Sequence, residues 1–239
     1  YLLGRVVAKL DDLKIRDRTI IIWTTDNGTA GAITGTRSGR TVQGGKAKTT
    51  ENGINAPFIA NCPGLVPEGE VSEALLDFSD LVPTFVELAG AEVPGADKVD
   101  GRSFADVLLG KSERSQRDWI FSMGGQNNAQ VSDAGVENQW YYRDRVIRNE
   151  RYKLYIGTDR RPQKFIDLKN DPDEANDLTG HETAEQLAVR KAFESVIAAM
   201  PEQDNDPIYT PNPPQPWDRK PKVRSMIWKS GYPGSDPAE

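Results

Sequence analysis

Two places in the first fifty residues carry side chains that could do chemistry: Asp26-Asn27 and Lys46. Adjacent Asp and Asn oxygens suit a hard divalent cation such as Ca2+ or Mg2+, which takes oxygen ligands. The same residues, followed by Gly28, also make an ordinary Asp-Asn-Gly turn at a strand end. Lys46, between Gly45 and Ala47, either presents a point charge to an oxyanion or sits in a solvated loop. Arg37, Arg40 and Lys48 lie close to it in sequence. A local basic pocket in a chain of net charge −6 points to a small anionic ligand and argues against general nucleic-acid binding. Cys62 is the only cysteine, which excludes an internal disulfide and a thiolate metal cage. His181, the only histidine, falls at a predicted helix start, where a surface or capping role fits best.

The elements that must position these groups follow from periodicity. Leu2, Val6, Leu10 and Leu13 recur at helical spacing. Thr19 to Thr25 is a short β-branched run that reads as a buried strand, so helix, strand and polar loop form half of a βαβ unit. Residues 57–60 make a second strand before the Cys62-Pro63-Gly64 turn. A helix follows Ser79, with Leu81, Phe85 and Leu88 on one face, Asp80 as its cap and Gly90 as its end. Phe104 to Leu109 forms another short helix. After Lys111 the texture changes to strand-like pieces at 119–122, 141–148, 152–156 and 164–167, an antiparallel meander. A helix with Leu187, Phe193, Val196, Ile197 and Met200 closes it, opened by a Thr183/Gln186 capping box.

With 239 residues, 37% hydrophobic and 28% charged, the composition is that of a globular protein of one to one and a half domains. No run approaches the roughly 18 apolar residues of a membrane span. The chain opens at Tyr1 inside an amphipathic pattern, with no signal peptide and no Met, which reads as a fragment or a processed chain. The division expected is 1–112 for an α/β part, 113–200 for a small sheet with its helix, and 201–239 for a proline-rich extended tail.

The order of short motifs is more specific than any one of them. Thr24-Thr25-Asp26-Asn27-Gly28, Gly44-Gly45-Lys46, Thr49-Thr50-Glu51-Asn52-Gly53 and Cys62-Pro63-Gly64 occur in series. Asp80-Leu81-Val82-Pro83-Thr84, Asp100-Gly101-Arg102-Ser103, Arg151-Tyr152-Lys153-Leu154 and Asp167-Leu168-Lys169-Asn170-Asp171-Pro172, with Glu174 and Asn176, continue it. Over roughly residues 1–200 the chain resembles the C-terminal portion of the sulfatases of the alkaline-phosphatase-like superfamily, of arylsulfatase and N-acetylgalactosamine-6-sulfatase type.

That resemblance implies an α/β fold: the C-terminal part of an alkaline-phosphatase-like α/β sandwich plus a small antiparallel sheet with a closing helix. It implies hydrolysis of sulfate esters, on sulfated carbohydrate or an aryl sulfate, by a formylglycine hydrate with bound Ca2+, Mg2+ being possible. Asp26 and Asn27 would be metal ligands and Lys46 would hold a sulfate oxygen. Arg37 and Arg40 either contact a sulfated or carboxylated sugar or are solvated loop arginines. Trp140, Tyr141 and Tyr142 either stack on a sugar ring or fill a strand core. A periplasmic or secreted location goes with the family.

The chain departs from the family pattern at the nucleophile. No Cys/Ser-x-Pro/Ala-x-Arg motif occurs in these residues, Cys62 being followed by Pro63-Gly64-Leu65-Val66. No nucleophile is therefore assigned here, and the chain alone is expected to be inactive. Asn55 stands where many relatives carry Arg after the Glu-x-Gly turn, so a supporting ion pair is expected to be missing. Two alternatives stay open: a phosphate- or phosphonate-ester hydrolase of the same superfamily, and a non-catalytic protein that binds sulfated glycan.

Overall fold

The computed structural model describes residues 1–93, 95, 99–124, 129–132, 135–138 and 142–201. Helix α1, Leu2–Asp12, follows the predicted periodicity, and Lys9 in its last turn suits the negative end of its dipole. None of its residues is buried. Strand β1 is Ile21–Thr24, the hairpin strands β2 and β3 are Thr34–Arg37 and Arg40–Gln43, and the one-turn helix α2 is Glu51–Ile54. Strand β4, Phe58–Asn61, pairs with β1 antiparallel, Ile21 opposite Asn61 and Thr24 opposite Phe58. This corrects the reading of β1 as a buried strand in half of a βαβ unit. Trp23 is 42% exposed, and the partner strand runs the other way. A continuous apolar run encodes affinity for a sheet but not the direction of its neighbour.

The β2–β3 hairpin replaces a predicted polar loop. Ser38 and Gly39 both have positive φ, 49° and 78°, as a two-residue type I′ turn requires. The alternation in these strands is carried by threonines, so the apolar test for a strand missed them.

Helix α3, Leu81–Leu88, follows a single 3-10 turn, Phe78–Asp80. Its cap differs from expectation. Asp77 closes a capping box with Asp80, whereas the Asp80 side chain does not cap α3. Asp80 is buried and its carboxylate serves other donors: Asp77 N–H at 2.9 Å, Arg102 N–H at 2.7 Å and the Arg117 guanidinium at 2.5–2.9 Å. Its carbonyl oxygen accepts from Thr84 Oγ1, which in turn accepts from the Phe104 N–H at the start of α4, Ala105–Leu108. Gly90 ends α3 in the left-handed conformation, φ +68°.

The remaining elements are β5 (Ile120–Met123), β6 (Ala129–Ser132), β7 (Gly135–Asn138), β8 (Arg145–Arg148), β9 (Tyr152–Ile156), β10 (Pro162–Asp167) and α5 (Ala184–Ala198). Strands β10-β9-β8-β5 form one antiparallel sheet in that order, the predicted meander. Both of its faces are buried: Ile147, Leu154, Ile156 and Phe165 lie on one and Val146 and Ile166 on the other, all nearly solvent-free. Phe193 of α5 is buried with them, and Tyr152 stacks on Phe165 with ring centroids 5.4 Å apart. The predicted Thr183/Gln186 box caps α5 with both reciprocal hydrogen bonds formed.

Residues Tyr1–Gly125 and Arg143–Met200 form one compact unit. The β6–β7 hairpin, Ala129 opposite Asn138, belongs to a second unit. Trp140, Tyr141 and, after Pro201, the proline-rich segment lie outside the described residues. No helix among the described residues is long and apolar enough to cross a membrane.

Candidate active site

The site is built on backbone contacts between three short segments. Beyond β1, Thr25 Oγ1 donates to the Asn27 carbonyl at 2.9 Å and shapes the Asp26-Asn27 turn. Gly28 N–H donates to Gly53 C=O in α2 at 2.8 Å, and Lys46 N–H donates to Thr29 C=O at 3.0 Å. A Cβ at Gly28 would stand 1.8 Å from the Asn52 carbonyl oxygen, and one at Gly53 2.1 Å from that of Lys48. Only glycine permits this approach. The Asp26-Asn27 turn, the Lys46 loop and α2 are thereby tied together across some twenty-five residues of sequence.

Asp26, Asn27, Lys46, Arg37 and Arg40 all line one open groove of about 2300 Å³. Asp26 and Lys46 are exposed and Asn27 is half-buried. Among the described residues, no hydrogen bond or ion pair engages the side chains of Asp26, Asn27 or Lys46. Asp26 and Lys46 therefore do not neutralise each other. Arg37 and Arg40 face each other across the hairpin turn, a like-charge arrangement that is unfavourable alone. Arg40 is relieved by Asp173, Nη1 to Oδ1 2.7 Å, and Arg37 is exposed.

A second polar assembly lies against the first, centred on Lys153 and Glu174, to which motif reading gave no role. Lys153 is fully buried and its Nζ lies 3.1 Å from Glu51 Oε1 and 2.7 Å from Glu174 Oε1. Arg148 Nη1 reaches Glu51 Oε2 at 2.5 Å, and Asn55 Nδ2 donates to the same oxygen at 3.2 Å. Glu51 is thus paired by Arg148, from a strand ninety-seven residues away. Glu174 also accepts from Tyr155 Oη at 2.5 Å. Burial, and then that bond to a carboxylate, push the Tyr155 phenol well above its ordinary range. Two carboxylates meet two cations, the balance that a site this dry requires. The sequence signal was the Lys153 of Arg-Tyr-Lys-Leu, an inward position on a strand otherwise apolar on both sides.

Cys62 is fully buried in the turn after β4, its Sγ 3.3 Å from the Asp17 carbonyl oxygen. His181 is exposed in the turn before α5 and does not line the groove. Among the described residues no group of three or more His, Cys, Asp or Glu side chains could hold a metal ion. Asp26 and Asn27 are the right chemical type for a hard cation, two oxygens of the six to eight it takes.

The family described as N-sulphoglucosamine sulphohydrolase, C-terminal, matches residues 45–201. Arylsulfatase G of Mus musculus is 39% identical over 128 residues, 48% of this chain and 24% of that protein. N-acetylgalactosamine-6-O-sulfatase of Bacteroides thetaiotaomicron is 28% identical over 209 residues, 82% of this chain and 40% of its own length. The solved structure of BT4656 in complex with its substrate D-glucosamine-2-N,6-O-disulfate superposes with a TM-score of 0.61 at 25% identity. That match covers 82% of this chain and 36% of the other. The chain thus spans well under half the length of these relatives.

Proposed function

The chain belongs to the sulfatase family, and from that premise we propose that it forms the part of a sulfuric ester hydrolase that grips the sulfate group and helps hold a divalent cation. The observation that carries this is the groove shared by Asp26, Asn27 and Lys46, whose side chains have no partner within the described residues. Exposed or half-buried, and without partners among the described residues, these groups stay available to a ligand that carries both a cation and an anionic oxygen.

Asp26 and Asn27 would hold Ca2+, or Mg2+, through their side-chain oxygens, with further donors supplied by other parts of the whole protein or by the substrate. A bound divalent cation would draw charge from the sulfate and lower its repulsion of a nucleophile. The Lys46 ammonium would bind a sulfate oxygen and offset the charge that builds on it in the transition state. Arg40, oriented by Asp173, and Arg37 would contact the remainder of a sulfated carbohydrate. The nucleophile, a formylglycine hydrate in this reading, comes from outside these 239 residues.

The test is hydrolysis of a chromogenic aryl sulfate by the whole protein, with Lys46→Ala and Asp26→Ala beside it. Each variant is expected to lower kcat/KM by about 100- to 1000-fold, the loss typical when one transition-state charge partner is removed. Turnover of the matching phosphate ester but not the sulfate would move the assignment to a phosphate- or phosphonate-ester hydrolase. Turnover of neither, with retention on a sulfated glycan, would make it a binding protein.

A further inference from the structure

Glu174 does more than belong to a buried charge cluster. Its backbone sits at φ +56°, a left-handed conformation that costs a residue with a side chain free energy and persists only where surroundings impose it. Its carboxylate gathers three donors: Lys153 Nζ, Tyr155 Oη and the Glu51 N–H, the last at 2.8 Å. That amide is the first of α2, one of the N–H groups a helix leaves without an internal partner. Thr50, at the position where a local side chain would satisfy it, makes no capping bond. Glu174 therefore caps α2 from a turn 123 residues later in the sequence.

The consequence reaches the groove through α2. Gly53, two residues past Glu51, receives the Gly28 N–H beside Asp26-Asn27 and packs against the carbonyls of Gly45 and Lys48 that flank Lys46. The neighbouring Asp173 holds Arg40 of the hairpin. Neither Lys153 nor Glu174 lines the groove. Resting on the sulfatase reading for the activity it affects, we propose that Glu174 is a positioning residue. By capping α2 it sets the spacing at which the groove presents Asp26-Asn27 and Lys46. A buried cluster kept for stability alone is replaceable by apolar side chains. One kept for placement is not.

The experiment uses the whole protein with Glu174→Gln, which keeps the shape and removes the charge. Tyr155→Phe is the milder second variant, deleting one donor and leaving the ring. Arg190→Met, which breaks the ion pairs of Arg190 with Glu182 and Glu194 on and beside α5, controls for losing an ion pair elsewhere. Glu174→Gln should lower kcat/KM about 10- to 100-fold, the range for losing a group that orients a reactive one. The loss should lie in kcat, with KM within about threefold. Amide hydrogen exchange in segments 26–30 and 44–54 should accelerate at least tenfold while α5 stays unchanged, and Tyr155→Phe should repeat that pattern more weakly. Exchange unchanged in those two segments, or a kcat/KM loss no larger than that of Arg190→Met at equal folded fraction, overturns the proposal. A wild-type protein that turns over no sulfate ester sinks the sulfatase reading instead, and the exchange pattern then decides by itself whether Glu174 holds the two loops.

Discussion

Arg151 and Asp167 show how a single ion pair at the edge of the buried cluster can be read out. The guanidinium contacts the buried Asp167 carboxylate through Nε and Nη2 at 2.8–3.2 Å, and Asn170 Nδ2 adds a bond at 2.8 Å. The Arg151 bond, against the opposing effect of burial, holds the Asp167 carboxyl below its ordinary value. A carboxylate depressed in the folded state stabilises it above the unfolded pKa of about 3.9, and that contribution is lost as pH falls through the folded value. Arg151→Met is therefore expected to lower stability at neutral pH. The difference from wild type should shrink on acidification below about pH 4, as Asp167 takes up a proton in both proteins. Thermal midpoints of the two proteins measured from pH 7 to pH 2.5 check this. A gap that is constant over the range would assign the loss to the Arg151 guanidinium over the Tyr152 ring, its central carbon 4.8 Å from the ring centroid.

At the scale of elements, α2 is the one that cannot tolerate bulk. It is four residues long and contains a glycine, so intrinsic helix propensity contributes little to it. It is held by the Glu174 cap, by Arg148 and Lys153 on Glu51, and by the backbone approach at Gly53. Gly53→Ala would drive a methyl group into the Lys48 and Gly45 carbonyl oxygens, at 2.1 and 2.4 Å, and neither is a flexible side-chain end. We expect about 1–3 kcal/mol of destabilisation, the usual cost of overpacking, together with loss of sulfate-ester turnover. Gly35→Ala in β2, where nothing lies within 4 Å, should stay within about 0.5 kcal/mol. Urea denaturation of both variants makes the comparison, and equal midpoints would show that the α2 contact can relax.

Taken whole, the chain leaves a good deal of apolar surface uncovered. Leu2 and Val6 on α1 are 71% and 51% exposed, and Trp23 of β1 and Ile59 of β4 point outward on their strands. Its groove presents Asp26, Asn27 and Lys46 but, among the described residues, no cluster of three metal-ligating side chains. Two oxygens bind a hard cation poorly. The isolated 239-residue chain is accordingly expected to release no chromophore from an aryl sulfate and to show weak or undetectable Ca2+ binding by calorimetry. Stoichiometric tight binding would mean that other residues of this chain complete the site, and that Asp26 and Asn27 are too short a ligand set.

Much of this was legible in the residues alone, and the boundary has a physical cause. Local rules sufficed for α1, α5 with its capping box, β4 and the meander of β5, β8, β9 and β10, because periodicity and turn chemistry act over a few residues. The ordered motif series was likewise enough for the family and fold. Three things were decided only by tertiary contact. The direction of β1 against β4 depends on which strand returns to it. The Asp80 side chain leaves α3 uncapped because it is engaged by Arg117, thirty-seven residues on, while Asp77 caps the 3-10 turn before it. The placement of α2 depends on Glu174, Lys153 and Arg148, about a hundred residues or more away from Glu51. Buried charges find their partners by geometry, and no spacing along the chain announces which carboxylate will meet which cation.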